Sequence, residues 1–360
     1  MHKLIKKTLV LLLTAATILS VPVYAQTDST WYPETTEETL NGLTVSKVKL
    51  ADNSRYKTAR IVANEYVAQK GETPTKVILA SGENFPDALT ANSLAGVYDC
   101  PVIISNLNTL SEQTKELLVK DWNKSVKTVY VVGAAFGQSV FDTLKKECGV
   151  TTVDSTTYAG TDRFNTAERV CQTVIDEGYT DACMIATGIK AADALSASVW
   201  ACRLKIPILL AKRDGSISES TKKLADQFKT VYILGADPVV SEATELSFDD
   251  KTVRLAGNDR YETSVNISAY FLEKCDLKRE SNCIVFAKGA DENYPDALVS
   301  GSLAACDDVD APVVLVRSSG LTSDLVTILK NYMSKANWKG YFTGAAAYDN
   351  IPETVTGQFA

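Results

Sequence analysis

Ala59, Val62, Ala63, Tyr66 and Val67 recur at helical spacing and predict an amphipathic helix over 54–70. Val77 to Ala80 is a short branched apolar run between polar residues, the signature of a buried strand. The alternation continues with a helix over 87–97, entered after Pro86 with an acid in its first turn, and a strand over 101–105. A helix over 111–121, a strand over 126–132 and a helix over 138–148 complete the unit. Helices alternating with continuous apolar strands argue for an α/β fold, with a parallel sheet covered on both faces and right-handed crossovers. Periodicity gives that class but not the strand order.

The same landmarks return twice more in the same order. Leu50-Ala51-Asp52-Asn53-Ser54-Arg55-Tyr56 corresponds to Tyr158-Ala159-Gly160-Thr161-Asp162-Arg163-Phe164 and to Leu255-Ala256-Gly257-Asn258-Asp259-Arg260-Tyr261. Asp87-Ala88-Leu89, Asp193-Ala194-Leu195 and Asp296-Ala297-Leu298 follow. Next come proline-led strands at Pro101, Pro207 and Pro312, then strands ending at Gly133, Gly235 and Gly344. The period is too long for a solenoid unit of roughly 20–50 residues, so each copy is expected to be a small parallel-sheet module. The expected modules are 47–151, 152–251 and 252–360, behind a flexible, acidic, Thr- and Glu-rich lead-in over 26–46. With the modules occupying 47–360, no separate effector domain is expected.

Residues 1–25 read as a secretory signal peptide: Lys3, Lys6 and Lys7, an apolar run, then Val23-Tyr24-Ala25 as the cleavage pattern. The mature chain is therefore expected outside the cell, with no membrane segment left after cleavage. Loss of three lysines takes the formal charge from −7 to about −10, which argues against nucleic acid as a partner. The only histidine is His2, so the commonest general base and metal ligand is missing from the mature chain. Eight cysteines permit disulfides, yet several lie in apolar runs where a thiol acts as a small hydrophobe, and none has the C-x-x-C spacing of a zinc site. No metal, cofactor or catalytic residue is expected.

Ser54, Asp162 and Asp259 read as N-caps, with Glu262 completing a capping-box-like pair, which places Arg55, Arg163 and Arg260 at the first helical position. A cation there opposes the helix dipole at a cost of roughly 0.3–1 kcal/mol, so something must offset it. One reading is a structural ion pair, for instance with Asp87, Asp193 or Asp296 of the same module. The other is an external anion meeting the guanidinium fork and free helical N–H groups. Tyr56, Phe164 and Tyr261 are read either as sugar-stacking rings or as core. Gly133, Gly235 and Gly344 fit a left-handed turn better than an anion cradle. The aspartates, one per module at a helix start and without a repeated carboxylate partner, look structural rather than glycosidic.

The stretches at 255–263 and 293–298 closely resemble the cell wall binding repeat 2 family, and the likeness covers almost all of 47–360. It implies three tandem modules around a pseudo-threefold axis. It also implies noncovalent attachment of a surface-layer-like Gram-positive protein to an anionic wall polymer, teichoic-acid-like or a phosphorylated polysaccharide. By that resemblance Arg55, Tyr56, Arg163, Phe164, Arg260 and Tyr261 form the polymer-facing set. Module two departs, with Phe164 for tyrosine and Gly188-Ile189-Lys190-Ala191-Ala192-Asp193 where the others have Asn-Phe-Pro-Asp or Asn-Tyr-Pro-Asp, which implies an altered site. The competing readings are an accessory of a wall amidase and a soluble ligand-binding protein or adhesin.

Overall fold

The structure is a computed structural model that describes residues 33–40, 43–275, 282–289, 294–332 and 338–350. The leader lies outside the described residues.

The first repeat builds α1 (Arg55–Lys70), β3 (Lys76–Ser81), α2 (Phe85–Ala88), α3 (Ala91–Tyr98), β4 (Val102–Ser105), α4 (Glu112–Glu116), β5 (Thr128–Val132) and α5 (Gln138–Lys146). Two expected helices differ from the apolar pattern. The one over 87–97 is broken at Leu89 and Thr90, and the one over 111–121 ends in a π-helical turn at Leu117–Asp121. That turn brings Asp121 beneath α1, where Asp121 and Glu116 grip the buried Arg60. Periodicity cannot register such a tertiary demand.

The second repeat follows with β6 (Thr152–Tyr158), α6 (Arg163–Asp176), β7 (Ala182–Thr187), α7 (Ala192–Arg203), β8 (Ile208–Ala211), α8 (Glu219–Ala225), β9 (Thr230–Leu234) and α9 (Glu242–Leu246). The third has β10 (Thr252–Leu255), α10 (Arg260–Lys274), β11 (Cys283–Lys288), α11 (Tyr294–Leu298), α12 (Ser300–Ala304), β12 (Val313–Val316), α13 (Ser323–Tyr332), β13 (Trp338–Thr343) and α14 (Ala345–Asn350). Ahead of them all stand β1 (Glu34–Leu40) and β2 (Leu43–Leu50). The stretch expected to be a flexible lead-in thus contributes a strand, because the threonines of β1 suit extended backbone and β2 offers it an antiparallel edge.

The sheets run β4-β3-β5-β6, β8-β7-β9-β10 and β12-β11-β13-β2-β1, parallel throughout except for β1. Each repeat lends its opening strand to the sheet of the repeat before it. The first repeat closes the circle by lending β2 to the last sheet. The sequence boundaries at 151/152 and 251/252 therefore fall directly ahead of β6 and β10, strands that hydrogen-bond back into the preceding sheet.

Helices α3, α7 and α12 pack against one another where the three repeats meet. Asn92, Ser198 and Gly301, each five residues after its repeat's Asp-Ala-Leu aspartate, share this centre. A Cβ on Gly301 would lie 2.5 Å from Asn92 Oδ1 and 2.8 Å from Ser198 Oγ. Asn92 donates to the Leu298 carbonyl and Ser93 to the Ile206 carbonyl, so polar groups as well as apolar ones tie the repeats. Closer still, a Cβ on Gly96 would be 1.8 Å from the Cys202 carbonyl oxygen, so only glycine lets α3 approach α7 this far.

Candidate functional site

The three helices α1, α6 and α10 begin as the sequence predicts. Ser54 Oγ accepts from Lys57 N, Asp162 Oδ1 from Asn165 N, and Asp259 from Tyr261 N and Glu262 N. Glu262 departs from the expected capping box by reaching one residue further back, to the backbone and side chain of Asn258.

The repeated arginines do not stay at the positive helix end. Arg55 Nη1 donates to the Gly82 carbonyl, Arg163 Nη1 to Gly188 and Arg260 Nη1 to Gly289, at 2.5–2.7 Å. Those carbonyls sit just past β3, β7 and β11, so the negative end of a backbone dipole offsets the unfavourable helix position. The aromatic neighbours pack on the same glycines. A Cβ there would lie 2.6 Å from Tyr56 Cε1, 3.1 Å from Phe164 Cε1 and 2.7 Å from Tyr261 Cε1. Arginine and ring together clasp one residue at the carboxyl end of a strand.

The aspartates join neighbouring repeats. Asp87 feels the Thr166 hydroxyl and the Arg163 charge, Asp193 feels Arg260, and Asp296 feels Arg55 and Thr58. The partner arginine therefore belongs to the next repeat around the ring, where the sequence suggested one in the same module. Single-sequence spacing could not reveal a partner brought in by ring closure. Burial raises all three carboxyl pKa values against these opposing pulls, Asp296 to about 6. Each carboxylate also lies against a left-handed glycine, with φ of 98° at Gly133, 99° at Gly235 and 87° at Gly344. A Cβ on any of the three would fall within 2.8 Å of the aspartate Oδ2. The glycines are thus turn residues whose concave side holds the protein's own anion.

Sequence reasoning missed the threonines. Thr58 and Thr263 accept from the backbone N–H of Asp52 and Gly257, tying each helix to the strand before it. The signal was present, since Thr58, Thr166 and Thr263 stand at one position of the repeat.

The cysteines are present as thiols rather than disulfides, seven buried and Cys275 half-buried. Burial raises the pKa of Cys148 to about 11 and of Cys306 to about 12, which suits unreactive filling at those buried positions. Among the described residues no group of three or more His, Cys, Asp or Glu is placed to hold a metal, and no helix is long and apolar enough to cross a membrane.

Three α/β modules with exchanged strands, each with an aspartate in the field of the next module's arginine, define a repeat-built protein. The sequence matches the cell wall binding domain 2 (CWB2) family over residues 49–137, 157–245 and 254–350, and the chain belongs to that family. It is 26% identical over 305 residues to the amidase enhancer of Bacillus subtilis (strain 168), across 83% of this chain and 38% of that protein. It is 26% identical over 265 residues to the N-acetylmuramoyl-L-alanine amidase LytC of the same strain, across 71% of this chain and 49% of that protein. Among solved structures, Cwp6 and Cwp8 from Clostridium difficile share the fold, each with a TM-score of 0.71, at 22% and 21% identity. They cover 89% and 87% of this chain, which in turn spans 50% and 51% of theirs. The chain thus spans about half or less of each of these relatives.

Proposed function

We propose that this chain is secreted and attaches noncovalently to the Gram-positive cell wall, in the manner of a surface-layer protein, by binding an anionic wall polymer. The observation that carries the reading is the threefold family match, which takes in most of the chain. Linked modules suit a repeating ligand, because tethered weak sites gain about 10² to 10⁴ in avidity without new contacts. The role is binding rather than catalysis: no histidine follows His2, so a histidine-ligated zinc hydrolase centre has no imidazole to use.

The clasp geometry supports a structural part for Arg55, Tyr56, Arg163, Phe164, Arg260 and Tyr261. One guanidinium nitrogen of each arginine and the edge of each ring are committed to a glycine of the same repeat. Any polymer contact falls to their remaining surface.

Titration of the chain with purified anionic wall polymer at rising ionic strength tests the proposal. An acidic protein must meet an anionic polymer through local cations, so affinity falls as salt screens them. Binding that is indifferent to salt would contradict the electrostatic reading. A second reading, an accessory to a wall amidase, is favoured by the two amidase-related relatives. It predicts that the chain accelerates a purified amidase on isolated walls, whereas an anchor leaves the rate unchanged.

A further inference from the structure

The three repeats place equivalent tyrosines, Tyr130, Tyr232 and Tyr341, three residues before the left-handed glycines of β5, β9 and β13. Each stands at a junction with the next repeat, and the charges around them differ. Tyr130 feels Asp154 and Glu177. Tyr341 lies beside Glu65, with Lys339 Nζ 5.4 Å from its ring. Tyr232 instead has Lys274 Nζ 5.9 Å from its ring, and the same nitrogen lies 5.8 Å from Tyr270.

This third junction, between repeats two and three, opens into a cavity of about 550 Å³ at the amino ends of β7, β8 and β9. Its volume falls within the roughly 300–1,000 Å³ of small-molecule sites. Arg203, Lys205, Lys229 and Lys274 line it, and among the described residues Asp181 is the one lining carboxylate, in a chain whose formal charge is −7. Lys229 pairs with Asp181 and Arg203 with Asp310. Lys205 and Lys274 meet aromatic groups instead: Lys205 Nζ donates to the Tyr179 hydroxyl at 2.6 Å and stands 4.5 Å from that ring's centroid.

Lys205 is also out of place by backbone criteria. It lies two residues before the strand-leading Pro207, and its counterparts before Pro101 and Pro312 are Asp99 and Asp310. All three adopt left-handed backbone, with φ of 46°, 55° and 42° in chain order. Aspartate tolerates that region, whereas lysine is strained there, and strain of this kind concentrates at functional positions. In the second repeat a strained base stands where the other two repeats carry a conformationally suited acid.

We propose that this cavity is a binding site for an anionic saccharide unit of the wall polymer. Lys205 and Lys274 would hold its phosphate or carboxylate, and Tyr179 would border its sugar ring. This rests on the wall-attachment reading.

Cys275 lines the same cavity and is the one cysteine not buried, so it reports occupancy. The test uses the full chain, anionic polymer extracted from Gram-positive walls, and a small thiol-alkylating reagent. Polymer is expected to slow Cys275 alkylation several-fold, and inorganic phosphate at matched charge to protect far less. Lys205→Asp installs the residue of the sister repeats, so its Tm should equal or exceed that of the unaltered chain. Combined with Lys274→Ala, it should weaken polymer binding by about tenfold or more and abolish protection. Unchanged affinity in this folded double variant would overturn the site while leaving wall attachment standing. Equal protection by phosphate would overturn the saccharide assignment. Absence of polymer binding by the unaltered chain would overturn both readings.

Discussion

Asp296 is held by opposing forces. Burial raises its pKa to about 6, while Arg55 and Thr58 pull it down. Because the folded value lies above the ordinary aspartate value of 3.8, the stability that this group contributes is fully present below that pH. It is lost as pH rises through about 6, a change on the order of 3 kcal/mol for this carboxyl alone. Asp87 and Asp193 shift in the same direction. Urea unfolding of the unaltered chain and of Asp296→Asn between pH 4 and 8 should show a shallower fall in the variant. Parallel curves would mean that the carboxyl titrates normally. Gly133→Ala should destabilise by about 1–3 kcal/mol, since φ is 98° and the new Cβ would meet Asp87 Oδ2 at 2.6 Å. A loss below measurement error in denaturant titration would show that the turn can relax.

At the scale of elements, Gly96 sets how closely α3 meets α7. Gly96→Ala should cost about 1–3 kcal/mol or more by forcing the helices apart, measured as a fall in the unfolding midpoint. The apolar strands and amphipathic helices were legible in sequence because burial writes a period into them: α1 begins one residue after the expected start, with Ser54 as its cap. Strands β6 and β10 were not, since Thr152–Tyr158 is polar and partly exposed and Thr252–Leu255 carries Arg254 and is only half-buried over most of its length. The clasp was half legible. Repetition marked the arginines, aromatics, aspartates and glycines, but a single chain read in order cannot say that Asp296 faces Arg55, 241 positions away. The cationic cavity was hidden for a related reason. Lys205 and Lys274 belong to different repeats and break the very pattern by which the other site residues were found.

On the scale of the whole molecule, the exchanged strands make the repeats interdependent. β2 supplies the neighbour of β13, so removing residues 1–50 leaves that strand with an open edge and deprives α1 of the strand that leads into it. Such a truncation should lower cooperative stability across all three modules rather than only the first. Hydrogen exchange would show the protection lost from β11 and β13 as well as from α1. Variants separate the two roles of the basic residues. The Arg55→Ala, Arg163→Ala, Arg260→Ala triple variant should lose stability and wall binding together, whereas Lys205→Asp with Lys274→Ala should lose binding alone. The most direct measurement is cosedimentation of the intact chain with isolated Gram-positive walls, before and after extraction of their anionic polymer. Binding to intact walls that disappears after extraction is the predicted result. Failure to sediment with intact walls, or binding that survives extraction, would contradict the account.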